Sequence, residues 1–230
     1  MASTDTPLAV AEKSLLERGF YCWEDISAGN RVSELASRGF PYFTEYGLDF
    51  CADFAFDSRI QSILEASFAR CVLGHWLRYE EYPDHVECWR RGGRNAGRRV
   101  FMVHVWSKGA RVDYYVGSHL HALDTTKGLR SVYEIPSSEL NRVGCEPETK
   151  EFVDGGIVIL DARLCFEIKQ GYAITFMFAT EDVVAKWAKI VLPHSTTLAD
   201  KVAQMEKKST KIGLNFTFQA GNTRKEKEIS

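Results

Sequence analysis

Residues 99–116, RVFMVHVWSKGARVDYYV, read as two strands joined by a tight turn at Lys108-Gly109. Arg99 to Trp106 is apolar on both faces, as a strand covered on both sides must be. Arg111 to Val116 alternates more clearly. Working outward, strand-like segments recur at Val86 to Trp89, Ser131 to Ile135, Gly156 to Leu160, Leu164 to Ile168 and Ala173 to Phe178. Gly92-Gly93, Asp154-Gly155-Gly156 and Gln170-Gly171 supply turns between them. No helical stretch separates these strands, which argues against a parallel α/β sheet. Many short strands with close turns predict an antiparallel sandwich or barrel.

Helices flank this middle. Thr6-Pro7 opens one, with Leu8, Ala11, Leu15 and Leu16 on one stripe and Gly19 as its stop. Phe20 to Trp23 reads as a short strand. Ser27 is placed as the cap of a second helix carrying Val32, Leu35 and Ala36, which ends at Gly39. Phe40 to Phe56 is aromatic and shows no clear period. Asp57 or Ser58 caps a helix whose stripe runs through Ile60, Ile63, Leu64, Phe68, Cys71 and Val72 to a stop at Gly74. Beyond Thr180, the spacing of Val183, Val184, Trp187, Ala188 and Val191 predicts another helix, and Leu198 to Lys207 a shorter one. Ile212, Leu214, Phe216 and Phe218 alternate as one late strand. The expected class is α+β, in one domain over residues 1–221. Residues 5–80 are mainly helical, 86–178 form the barrel, and 180–221 hold the C-terminal helices and strand. A disordered tail is expected over 222–230.

Composition limits the function. Net charge is −2 with both signs interspersed, so the basic face of a nucleic-acid binder is not expected. No apolar run approaches the roughly 20 residues that span a bilayer, and the first residues lack a secretion signal. A cytoplasmic location is therefore expected. Six cysteines without a CxxC pair fit reduced, buried thiols. Neither a GxSxG elbow nor a phosphate-binding glycine loop is present. Arg90, Arg91, Arg94, Arg98 and Arg99, broken by glycines, read as a solvated hairpin loop with donors suited to phosphate or carboxylate.

Three short motifs carry a resemblance. They are Leu15-Leu16-Glu17-Arg18-Gly19-Phe20-Tyr21, His104-Val105-Trp106 with Val116-Gly117-Ser118-His119, and Asp154-Gly155-Gly156-Ile157-Val158-Ile159-Leu160-Asp161. Together with the order of elements, they resemble the Fe(II)/2-oxoglutarate oxygenases of the phytanoyl-CoA dioxygenase-like branch, over about residues 12 to 178. The resemblance implies an antiparallel double-stranded β-helix, or jelly roll. It also implies an iron centre of two histidines and a carboxylate, and here the sequence departs. The HxD pair reads His104-x-Trp106, and tryptophan is no metal ligand. Cys165 or Phe166 stands where the distal histidine belongs. Ala173 to Phe178 has no basic residue to clamp 2-oxoglutarate.

The reading that follows is a dioxygenase-like barrel that has lost its iron triad, with no metal and no cofactor. It is expected to bind a small organic molecule at the barrel mouth and to run non-redox chemistry such as isomerisation or cyclisation. Two alternatives stand beside it. One is a metal-dependent oxygenase with a rearranged ligand set drawn from His104, His119 or His121 and an acid such as Asp113. The other is a non-catalytic partner subunit of an active oxygenase; a homo- or heterodimer is open. His104 and Glu167 are the candidate catalytic residues. Glu167 faces the interior only if Cys165 does; if Leu164, Phe166 and Ile168 face inward, it lies on the outer surface. Trp106, Tyr114, Tyr115, His119 and Arg163 are the candidate substrate contacts. Tyr114 and Tyr115 point to opposite faces, one of them into the core.

Overall fold

The computed structural model describes residues 7–128 and 132–220. Thr6, Ser131 and the expected tail over 222–230 lie outside them. The order of elements is α1 (Pro7–Glu17), β1 (Phe20–Glu24), α2 (Ile26–Ser37), α3 (Glu45–Ala55), α4 (Ser58–Ser67), β2 (Cys71–Glu80), β3 (Glu87–Cys88), β4 (Val100–Trp106) and β5 (Ala110–Tyr115). Then come β6 (Thr126–Lys127), β7 (Tyr133–Glu134), α5 (Ser137–Val143), β8 (Pro147–Phe152), β9 (Gly156–Asp161), β10 (Cys165–Gln170) and β11 (Tyr172–Ala179). The chain closes with α6 (Glu181–Val184), β12 (Ile190–Leu192), α7 (Thr196–Glu206), β13 (Ile212–Leu214) and β14 (Phe216–Phe218).

Two six-stranded sheets form the barrel, in the orders β1-β9-β4-β11-β2-β13 and β6-β7-β3-β10-β5-β8. The chain switches sheets from β4 to β5, from β8 to β9, from β9 to β10 and from β10 to β11, while β5 and β8 pair within one sheet. Pairing is antiparallel throughout both sheets except where β13 runs parallel to β2. The architecture is the α+β jelly roll that the strand pattern and the resemblance implied.

Alternation along the strands explains why the middle is so apolar. On β4, Phe101, Val103 and Val105 pack outward against the helices, while Val100, Met102 and Trp106 face the second sheet. On β11, Ile174, Phe176 and Phe178 face out and Ala173, Met177 and Ala179 face in. The outer layer is built from Leu15 of α1, Val32 and Leu35 of α2, Phe50 and Phe54 of α3, Ile63 and Leu64 of α4, and Val202 of α7. Each helix stripe thus finds its partner on the sheet.

Several expectations need correction. α4 stops at Ser67, and Cys71 to Glu80 is a long strand rather than the helix end. The cap of α2 is Asp25, whose carboxylate accepts from the Ala28 N–H, not Ser27. The aromatic stretch contains α3, capped by Thr44. The helix expected over 183–191 is a single turn followed by β12. The late strand is two, split at Asn215, because its halves pair with different partners.

Candidate ligand cleft at the barrel mouth

The interior of the barrel is filled. His104 is wholly enclosed, with Trp106 and Phe166 edge-on at centroid distances of 5.2 Å each and Tyr79 at 6.4 Å. The Tyr114 hydroxyl lies 3.5 Å from His104 Nδ1, while Nε2 has no partner among the described residues. Burial pushes the His104 pKa down to about 3, so the ring is neutral at ordinary pH. Thr175 stands opposite it on β11, and its hydroxyl is also unpartnered. The pocket expected around His104, Trp106 and Tyr114 is therefore packed core. It fills because Phe20 stacks on Tyr114 at 4.6 Å and Phe152 on Trp106 at 5.8 Å.

The other expected site residues do not join His104. Leu164, Phe166 and Ile168 face inward, which turns Glu167 to the outer face of its sheet. There Glu167 is buried, accepting from the Asp84 N–H at 2.6 Å and pairing with Lys169 Nζ at 2.6 Å. Tyr115 is half-buried on that same face, and burial raises its phenol to about 12. Arg163 spends its donors within the protein, two on Asp161 at 2.8 and 2.7 Å and one on the Gly93 carbonyl at 3.1 Å. His119 Nε2 lies 3.2 Å from the Leu16 carbonyl, and its ring packs on Gly19, whose φ of +91° and lack of a Cβ make room for it. It fastens the turn between α1 and β1. Arg163 and His119 act there as structural ties.

An iron centre of the kind the resemblance implies does not fit these residues. Among the described residues no three His, Cys, Asp or Glu side chains converge. His104 has aromatic rings where further ligands belong, and the rearranged set of His104, His119 or His121 with an acid is not assembled.

The open end of the barrel is a different matter. Cross-strand rows run from closed end to mouth as Tyr79/Ala173/Trp106, then Leu77/Thr175/His104, then His75/Met177/Met102. At the mouth a cleft of about 460 Å³ is lined by Leu77, Tyr79, Trp89, Met177, Trp187 and the edge of His75. Its lining takes in Leu77, from the row that also carries Thr175 and His104, and Tyr79 from the next row. A second cleft of about 430 Å³ adjoins it, between Trp89, Trp187, Tyr133, Arg90, Arg91 and Lys186. The two share Trp89 and Trp187, whose rings meet edge to face.

The sequence builds this mouth with a bulge. Between Leu73 and His75 the pairing with β11 slips by one residue, leaving Gly74 unpaired in the ladder. A Cβ on Gly74 would lie 2.3 Å from a Trp187 ring carbon, so only glycine lets the indole rest on the strand. Asn215 then ties the pieces together, donating to Gly74 O at 3.3 Å and Ala188 O at 3.1 Å. His75, next to the bulge, is exposed at the cleft edge, and partial desolvation holds its pKa below the usual value. Gly74 read as a helix stop and Trp187 as part of a helical stripe, and His75 was not singled out, because Cys71 and Val72 continued the helical stripe of α4. The β-branched and aromatic content of 72–79 was the signal that a strand follows.

No family model matches the chain, and no curated protein matches it. Solved structures do. HygX from Streptomyces hygroscopicus, in its apo form, aligns at 11% identity over 83% of this chain and 91% of its own, with a TM-score of 0.54. The epimerase SnoN, in complex with Fe3+, alpha ketoglutarate and nogalamycin RO, aligns at 11% identity over 75% and 83%, with a TM-score of 0.53. EctD from S. alaskensis, with 2-oxoglutarate and 5-hydroxyectoine, aligns at 10% identity over 79% of each chain, with a TM-score of 0.51. At such identities the likeness is one of fold. No helix among the described residues is long and apolar enough to cross a membrane.

Proposed function

We propose that this chain, which has the double-stranded β-helix fold of the oxygenase-like proteins, binds a small organic molecule at the barrel mouth and has given up the iron triad. The observation that carries the reading is the aromatic cleft between Trp89 and Trp187, set over a barrel whose interior is otherwise filled. Concave apolar sites with a few polar groups suit small ligands. Trp89, Trp187, Leu77 and Met177 supply flat apolar surface, and His75 supplies a polar point.

Any chemistry run here is non-redox in this reading. His75 is the group suited to moving a proton, because its depressed pKa leaves a free imidazole lone pair at neutral pH. Isomerisation or cyclisation needs no more than such a base and an enclosed, oriented ligand. His104 does not line the cleft; it is enclosed behind it, with its ring 6.4 Å from that of Tyr79.

Calorimetric titration with 1-naphthol, a neutral bicyclic probe, tests the reading. Saturable binding to the parent protein, lost or weakened about tenfold or more in Trp89→Ala and Trp187→Ala, supports it. Binding that ignores both substitutions contradicts it.

A further inference from the structure

We infer that the natural ligand is an organic anion, an aromatic or alicyclic body bearing a carboxylate or phosphate. This rests on the reading above and adds the charge of the ligand. The second cleft shares Trp89 and Trp187 with the first, and among its described lining residues Arg90, Arg91 and Lys186 are charged and none is acidic.

No carboxylate among the described residues forms an ion pair with these cations. Arg90 is half-buried and makes no ion pair or side-chain hydrogen bond among the described residues. The nearby carboxylate, Asp161, is already engaged by both donor edges of Arg163 and approached by Arg98 at 4.0 Å. Asp182 is taken by Arg99. Arg91 lays its guanidinium 5.0 Å from the Tyr133 ring centre and gives one donor to Thr125 at 3.1 Å, so its remaining donors are available. Burial, and then like charge from Arg99 and Arg163, lowers the pKa of Arg90, with Asp161 and Tyr133 opposing them. A half-buried cation without an ion-pair partner gains from an added anion.

The geometry also fixes the ligand's polarity. Its ring system lies in the first cleft against Leu77, Met177 and the indoles, where Lys189 is the one cation among the described lining residues, and its acid group lies in the second cleft, which Arg90, Arg91 and Lys186 line. Forked guanidinium donors match carboxylate and phosphate oxygens. The basic run that reads as a solvated loop in the sequence thus contributes its first two residues to a site.

Calorimetry at low salt with 1-naphthol, 1-naphthoate and 1-naphthyl phosphate tests this, because the three share a ring system and differ in charge. The anions are expected to bind about tenfold or more tighter than 1-naphthol. That advantage is expected to shrink with added salt and to vanish in the triple variant Arg90→Gln, Arg91→Gln, Lys186→Gln. Whichever anion binds tighter identifies the acid group. If 1-naphthol binds and neither anion exceeds it, the inference fails while the cleft reading stands. If none of the three binds, both fail. If the anions' advantage survives in the triple variant, the site is placed wrongly and the inference is overturned.

Discussion

Trp89 and Trp187 meet edge to face across the barrel mouth, with ring centroids 5.0 Å apart and planes at 69°. One indole comes from the strand side of the mouth, just past β3, and the other from the segment after α6. The contact joins two parts of the chain nearly a hundred residues apart, and it separates two adjoining clefts. Ligand binding and the packing of the cap therefore depend on the same pair.

Gly74 is the residue on which that cap rests. Gly74→Ala is expected to destabilise the protein by about 1–3 kcal/mol, since the added methyl group forces Trp187 off the strand. In urea denaturation, adding Trp187→Ala to Gly74→Ala should recover much of the loss, because the clash is with that ring. Strictly additive effects of the two substitutions would show that the clash is absorbed elsewhere.

Asp161 and Arg163 form a buried ion pair, at 1% and 8% side-chain exposure, with two hydrogen bonds between them and a third to the Arg-rich loop. Asp161→Asn leaves a buried guanidinium without its counter-charge and is expected to cost about 3–5 kcal/mol. Removing both charges, as Asp161→Leu with Arg163→Met, should cost less than the single change. Urea unfolding of the three variants gives the comparison, and a double variant as weak as the single one would contradict it.

His104 makes acid stability a readout of the filled interior. Its folded pKa of about 3 lies below the ordinary 6.5, so the unfolded chain takes up the proton first as pH falls. The stability this neutral ring contributes is complete above pH 6.5 and is lost between 6.5 and 3, at up to about 1.4 kcal/mol per pH unit. The Tm of His104→Leu should therefore fall less steeply than that of the parent from pH 6.5 to about 4.5. Parallel profiles would show that the ring is solvated.

Thr175 offers a companion test. Its buried hydroxyl has no partner among the described residues, so Thr175→Val is expected to raise stability by about 1 kcal/mol in chemical denaturation. A loss of similar size would indicate that the hydroxyl is satisfied in solution.

The barrel was legible because its strands carry a period of two and are punctuated by glycine turns. Arg99 to Trp106, Gly156 to Leu160 and Ala173 to Phe178 map closely onto β4, β9 and β11. β8 was missed because Pro147-Glu148-Thr149-Lys150-Glu151 offers little apolar alternation; its stability comes from pairing with β5. β2 was missed because its first residues extend a helical stripe. The site was less legible than the fold, for a physical reason. His104 and Trp106 read as pocket or core alike, since both surroundings are apolar and enclosed. What separates them is whether Phe20, Phe152 and Phe166, far apart in sequence, reach the same space. The mouth depends on a bulge at Gly74 and on Trp187 coming to rest there, a pairing that no local pattern encodes.

The most direct measurement is metal content after anaerobic dialysis of the untagged protein against ferrous iron with 2-oxoglutarate, followed by removal of free metal. With the rings of Trp106 and Phe166 against His104 and no convergent ligand set among the described residues, the protein is expected to retain far less than one equivalent of iron. Stoichiometric, tightly held iron whose spectrum responds to 2-oxoglutarate would contradict the account.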